Sequence, residues 1–175
     1  MNWTSRWIAA APLALMLAGS GLQAQEAEFG AHGGFQIPMG DLGTTLDHSL
    51  GYVVGAHLGV YYGDGHELRP RVDYQTYNGH YDSTGHRTDV SAWSFGADYV
   101  YYTEQRKKGL YLTMGLAYNF WNVTGGSSQN GLGLAAGAGY RLDQRWSFEG
   151  RFTTGQFRSD NGQANALQAV ALFHF

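Results

Sequence analysis

The chain has no cysteine, only three prolines in 175 residues, and little charge. Without cysteine it cannot be a disulfide-stapled secreted domain, a zinc ribbon, a thiol-based enzyme or a lipoprotein anchored through an N-terminal cysteine. Three prolines beside 26 glycines exclude a collagen-like repeat. Charged residues make up 14% of the chain and the net charge is -3, so no basic footprint exists and no nucleic-acid partner is expected. Beyond the first two dozen residues there is no run of about 18 apolar residues, which excludes a spanning helix there. What the chain has in quantity is glycine and aromatic side chains. At 15% the aromatics are too abundant for a disordered chain, and the length suits one domain with one core.

Residues 1–24 form an address. Arg6 supplies a positive start, an apolar stretch runs from Trp7 to Leu17, and small residues lead to Leu22-Gln23-Ala24. The stretch is too short and too interrupted by Pro12 for a retained anchor, so a cleaved signal peptide is expected over 1–24, with a mature domain over 25–175.

The mature chain counts in twos. In 51–62, Tyr52, Val54, Ala56, Leu58, Val60 and Tyr62 share one face, while Val53, Gly55, His57, Gly59 and Tyr61 share the other. In 110–120, Leu110, Leu112, Met114, Leu116, Tyr118 and Phe120 oppose Tyr111, Thr113, Gly115, Ala117 and Asn119. A period of two predicts strands with one apolar face and one mixed face. Eight such segments are expected, at 28–37, 51–62, 67–78, 90–102, 110–122, 131–142, 145–154 and 164–175, with no helix among them. Each is long enough to cross a bilayer when tilted. The connections alternate between long (38–50, 79–89, 123–130, 155–163) and short (63–66, 103–109, 143–144). In an up-and-down meander this places the long loops at one rim and the short turns with both termini at the other.

Charge decides which face meets which medium. In the third segment Glu67, Arg69, Arg71 and Asp73 share a face with Gln75; in the seventh, Arg145, Glu149 and Arg151 share one with Ser147 and Thr153. A charge facing mid-bilayer lipid costs ~2 to 4 kcal/mol, so these faces must line the interior of an inserted barrel. Asp98 and Arg141 fall on the same face by register. The expected lumenal charge network is therefore Glu67, Arg69, Arg71, Asp73, Asp98, Arg141, Glu149 and Arg151, with both signs present so that the ions can pair. Inward glycines such as Gly133, Gly137 and Gly139 make room for the long side chains. An eight-stranded interior is just wide enough for side chains to fill, so a polar plug is expected and a wide pore is not. Tyr62, Tyr101, Tyr102, Tyr118, Trp121 and Trp146 lie near segment ends and are expected in interfacial girdles.

Catalytic and metal chemistry finds little support. His80, Asp82, Ser83, His86 and Asp89 cluster in the second long loop, and Asp47, His48 and Ser49 lie in the first. Imidazole and carboxylate side chains suit a loose zinc or copper site or a rim hydrolase, but no ligand spacing of a recognised kind is present, so they read as solvated loop residues. No catalytic residue, metal site or cofactor is expected. The Gln105-Arg106-Lys107-Lys108 turn is open to two readings, anionic headgroup contact or an ordinary solvated turn.

The chain ends Leu167-Gln168-Ala169-Val170-Ala171-Leu172-Phe173-His174-Phe175, with apolar residues at every second position before a final aromatic. This looks like the terminal signature that outer-membrane barrels present to their assembly machinery, carried by Phe173 and Phe175. Ile37-Pro38-Met39-Gly40-Asp41-Leu42 resembles the first strand-to-loop passage of many such proteins. The mature chain as a whole resembles the small eight-stranded outer-membrane β-barrel family of OmpA-type and OmpX-type transmembrane domains. The resemblance implies an all-β, eight-stranded antiparallel up-and-down transmembrane β-barrel preceded by a cleaved signal peptide, resident in the bacterial outer membrane. It implies outer-membrane lipid and the barrel-assembly machinery, met through the C-terminal strand, as partners. It implies no shared chemistry. The expected role is non-enzymatic, structural or surface-interacting, with any surface ligand met by the long loops. Two alternatives stay open: a narrow small-solute channel through the lumenal charges, and a soluble lipocalin-like barrel with the faces reversed.

Overall fold

The computed structural model describes residues 26–77, 79, 89–104, 107–124, 128–156 and 163–175. Its eight strands are β1 (Glu26–Met39), β2 (Gly51–Tyr62), β3 (His66–Tyr77), β4 (Val90–Glu104), β5 (Lys108–Val123), β6 (Gln129–Arg141), β7 (Trp146–Gln156) and β8 (Gln163–His174). Neighbours pair antiparallel in chain order, and β8 returns to β1, with Gly30 opposite His174 and Met39 opposite Asn165. Closure leaves no unpaired sheet edge, a requirement in lipid, where an unsatisfied backbone group has no water to turn to.

The period-two pattern maps directly onto the wall. In β5 the outward Leu112, Met114 and Leu116 are each more than half exposed, while Tyr111 and Thr113, which alternate with them, are buried. The same inversion runs through Leu132 and Leu134 of β6 and Phe148 of β7, which face out while Ser147, Glu149 and Arg151 face in. A continuous outward belt of leucine and phenylalanine is a liability in water and the required surface in a bilayer. The soluble lipocalin-like alternative fails here, because its apolar face would have to be inside.

Two features depart from the sequence-based expectation. The first long connection contains a six-residue helix, α1 (Gly40–Thr45), where none was expected. Six residues are too few to show a helical period, and the helix offers a single leucine, Leu42, buried together with Leu46 at its C-cap. The second departure concerns the girdle. Tyr101, Tyr118 and Trp146 face outward near the rims, but Tyr102 is 2% and Trp121 4% exposed, both turned into the lumen. Their parity explains it: Tyr102 shares a face with Asp98, and Trp121 with Thr113. Lumenal aromatics therefore close the ends of the barrel.

Candidate functional site

The lumen is the place where polar side chains converge. It is built in three layers.

The central layer is ionic. Arg69 donates through Nε to Glu67 Oε1 at 2.8 Å and through Nη1 to Glu149 Oε2 at 3.0 Å. Arg151 Nη1 donates to Asp98 Oδ2 at 3.0 Å and to Glu149 Oε1 at 3.4 Å. Arg71 Nη1 donates to the same Asp98 oxygen at 3.0 Å, and its Nε to Asp73 Oδ2 at 2.9 Å. The result is one unbroken chain of alternating charges from Glu67 to Asp73, drawn from β3, β4 and β7. Tyr102 and Tyr111 add hydroxyl donors to Glu67 and Glu149, at 2.9 and 3.1 Å. Glu67, Arg69, Asp73, Asp98, Glu149 and Arg151 are each at most 5% exposed. Ions this deeply removed from water persist only when both partners and further hydrogen bonds satisfy them, as here.

Seven of the eight charges expected in the lumen thus sit in one network. The eighth, Arg141, lies apart at the short-turn rim. Its Nη2 donates to Glu28 Oε1 at 2.8 Å and to the Gln144 carbonyl at 2.7 Å, and its Nη1 to the Tyr61 hydroxyl at 2.7 Å. Glu28 was not legible as a lumenal residue, although its parity matches that of His32 and Gln36 in β1. Three lumenal histidines were also missed as a group, because they lie on β1, β2 and β8 and only closure brings those strands together. His32 Nε2 lies 2.7 Å from Asp73 Oδ1, His32 and His57 approach through their Nδ1 atoms at 3.4 Å, and His174 Nε2 lies 2.9 Å from Ser147 Oγ.

Glycine makes the crowding feasible. A Cβ on Gly115 would overlap the Asp98 carboxylate, and one on Gly139 would overlap the Tyr111 ring. Large side chains on one strand thus rest on bare backbone of the next.

Apolar layers bound the ionic one. Toward the short turns, Tyr61, Val100, Tyr102 and Tyr111 form a buried cluster. Toward the long loops, Leu42 and Leu46 of the first connection pack against Tyr77, Val90, Ala92, Trp121 and Ala164. Between this second layer and the ions remains a cavity of about 40 Å³, lined in part by Arg71, Asp98, Asn119, Arg151 and Gln168. A water needs ~10 to 15 Å³ by this measure, so the space suits a few waters and no larger solute.

At the short-turn rim Asp143 Oδ1 accepts the backbone N–H groups of Arg145 and Trp146 at 2.7 and 2.8 Å. These two donors hold its carboxyl below the usual range. Lys107 pairs with Glu26 at 2.6 Å and lies 3.4 Å from the Tyr61 ring centroid, so this member of the basic turn is engaged by its own chain. Gln105 and Arg106 lie outside the described residues. At the final strand Phe173 packs edge-on against Trp146, with ring centroids 4.9 Å apart, and Phe175 is exposed while its N–H donates to the Phe29 carbonyl.

In the long loops, His80, Asp82, Ser83 and His86 lie outside the described residues; Asp89 accepts the Gly79 N–H through Oδ1 at 3.0 Å. His48 is exposed, its Nδ1 3.3 Å from the Pro38 carbonyl oxygen. Among the described residues no three histidine or carboxylate side chains are grouped to hold a metal.

Known proteins give the fold its context. The attachment invasion locus protein Ail of Yersinia pestis superposes with a TM-score of 0.56 at 13% identity, over 85% of this chain and 97% of that one. The Neisserial surface protein A superposes with a TM-score of 0.55 at 22% identity, over the same shares. A second Ail structure, in complex with the heparin analogue sucrose octasulfate, gives 0.54 at 13% identity, again over 85% and 97% of the two chains. At these identities the likeness is one of fold. No curated protein sequence matches the chain. The model of the outer membrane protein β-barrel domain matches residues 9–175, nearly the whole length, and the chain belongs to that family of bacterial outer-membrane proteins.

Proposed function

We propose that the protein is a non-enzymatic outer-membrane scaffold whose long loops carry a surface-interaction role. The observation that supports this reading is the filled lumen. An ion chain spanning β3, β4 and β7, bounded among the described residues by a buried cluster on each side, fills the lumen with paired side chains, which weighs against the small-solute channel. Any surface role then falls to the long-loop side of the barrel. Its four connections carry Asp41, Asp47, Asp82, Asp89 and Asp160 against Arg87 and Arg158. Connections with that excess of acidic residues favour a neutral or cationic partner over a polyanion.

The same reading includes residues 1–24 as a cleaved signal peptide and 25–175 as the mature barrel. It also includes Phe173 and Phe175 as the residues offered to the barrel-assembly machinery, since both sit at the end of the closing strand. The lumenal charges are assigned a structural role, cross-linking the wall.

Three measurements test this. The protein should fractionate with the outer membrane and migrate differently on gels with and without boiling. In planar bilayers it should give no current steps above background; regular steps would favour the channel. Replacing each long loop by a short Gly-Ser turn should leave heat modifiability intact while reducing the attachment of expressing cells to a neutral or cationic surface. If attachment is unchanged by all four replacements, the loop assignment fails.

A further inference from the structure

The ion chain is one positive charge short. Glu67, Asp73, Asp98 and Glu149 bring four carboxylates, and Arg69, Arg71 and Arg151 bring three guanidinium groups. Arg141 does not make up the difference, because Glu28 matches it at the short-turn rim. A net charge held away from water is costly, so the lumen needs a fourth cation. We propose that His32 is that cation, an imidazolium that completes the chain at Asp73 and makes the barrel sensitive to alkali.

Three observations carry the proposal. First, the carboxylates are occupied as acceptors. Each oxygen of Glu67, Asp73, Asp98 and Glu149 accepts a guanidinium N–H, from Arg69, Arg71 or Arg151. Such donors hold a carboxyl in its ionised form, so the extra proton belongs elsewhere. Second, His32 touches the chain. Its Nε2 lies 2.7 Å from Asp73 Oδ1, inside the range of charge-assisted hydrogen bonds, so this nitrogen carries a proton. Its Nδ1 faces His57 Nδ1 at 3.4 Å, an acceptor for the second N–H of an imidazolium. His57 and His174, the other buried imidazoles, contact no carboxylate among the described residues; His57 stacks edge-on to His174, which meets Ser147. Arg71 Nη2, 3.2 Å from His32 Nε2, opposes a charge there, but Arg71 is already counted against Asp73 and Asp98. Third, the seat is built for the pair. His32 and Asp73 are at most 7% exposed, and a Cβ on Gly55 would come within 2.6 Å of both His32 Nε2 and Asp73 Oδ1. Loss of the proton leaves one unmatched negative charge in the lumen, so the barrel should lose stability as pH rises.

Nitrogen NMR of the histidine rings in detergent micelles reads the charge directly. The two ring nitrogens of an imidazolium resonate close together, and those of a neutral ring far apart. At about pH 8 a histidine with its ordinary value of ~6.5 is only ~3% charged. His32 is expected to show the imidazolium pattern there, its signal identified by its loss in His32→Gln. Glu149→Gln removes one negative charge without touching His32. It is expected to lower the proton affinity of His32 about tenfold, whereas a charge held by Asp73 alone would leave that affinity in place. Heat-modifiable mobility confirms that each barrel is intact. Should either variant fail to fold, the spectrum of the unaltered barrel decides, with the ring assigned through the backbone. A neutral His32 at about pH 8 in the intact barrel would overturn the proposal. So would a folded Glu149→Gln barrel in which His32 holds its proton as tightly as before.

Discussion

Arg69 and Glu149 stand eighty positions apart and meet at 3.0 Å across the barrel, on side chains at most 3% exposed. This contact joins the two charged strands, β3 and β7, and fixes the register of each against the lumen. Its energetic weight lies less in the attraction than in what its removal leaves behind. An unpaired buried ion costs more than the pair gains.

Glu149→Leu should therefore be severely destabilising, because it removes the acceptor of Arg69 Nη1 and of the Tyr111 hydroxyl and the carboxylate that links Arg69 to Arg151, leaving Arg69 with Glu67 alone and Arg151 with Asp98 alone. A loss of ~3 to 5 kcal/mol is expected for breaking such a pair from one side. Adding Arg69→Met leaves Glu67 with only the Tyr102 hydroxyl, so the double variant should be no more stable than Glu149→Leu, yet less unstable than the sum of the singles. Urea unfolding in detergent micelles, with all three variants, gives the coupling. If the double variant is as unstable as the sum of the singles, the two residues are not coupled as described.

Met114 and Thr113 are adjacent and face opposite media. Met114 is 65% exposed on the outer wall, and Thr113 is 5% exposed inside. Met114→Arg should cost ~2 to 4 kcal/mol if the position lies near the bilayer midplane, and it should impair insertion into vesicles. The lumen is too full for an arginine at Thr113, so the informative partner change is Thr113→Val. The Thr113 hydroxyl is buried without a hydrogen-bond partner, and its replacement by a methyl should be neutral or slightly stabilising. Equal insertion of the wild type and Met114→Arg would reverse inside and outside.

Gly115 lies directly opposite Asp98 in the β4–β5 ladder. Gly115→Ala places a methyl where the Asp98 carboxylate lies, and the carboxylate cannot retreat without loosening Arg71 and Arg151. Overpacking of this kind costs ~1 to 3 kcal/mol. Gly150→Ala, on the outer wall with open space around it, is the control and should be near neutral. A Gly115→Ala barrel as stable as the Gly150→Ala barrel would mean the lumen is looser than the structure has it.

At the β6–β7 turn, the two N–H donors on Asp143 lower its carboxyl. A carboxylate depressed by folding contributes stability above its unfolded pKa of ~3.9 and loses that contribution as pH falls through its folded value. The Arg145 and Trp146 amide resonances should therefore titrate together, with a midpoint below ~3.9. They should stop titrating in Asp143→Asn. A midpoint at or above the unfolded value would show that these hydrogen bonds do not persist in solution.

The wall was legible in the sequence because its cause is local. A strand has a period of two, and each of the eight segments states that period in its own residues. The choice of medium was legible too, since Glu67, Arg69, Arg71 and Asp73 on one face admit only one arrangement in lipid. Parity alone, applied consistently, would also have turned Tyr102 and Trp121 inward. Tertiary structure decided what no single segment holds. That Arg69 reaches Glu149 while Arg141 turns to Glu28 depends on how far each strand is staggered around the closed ring, and closure is a property of all eight strands together. The meeting of His32, His57 and His174 depends on β8 returning to β1. The short helix is the clearest case. Leu42 and Leu46 do not amount to a helical pattern, and α1 is held in place by a mouth assembled from four distant strands, β3, β4, β5 and β8. Local chemistry determined the strands and their faces, whereas the partners of each buried side chain followed from the stagger and closure of the ring.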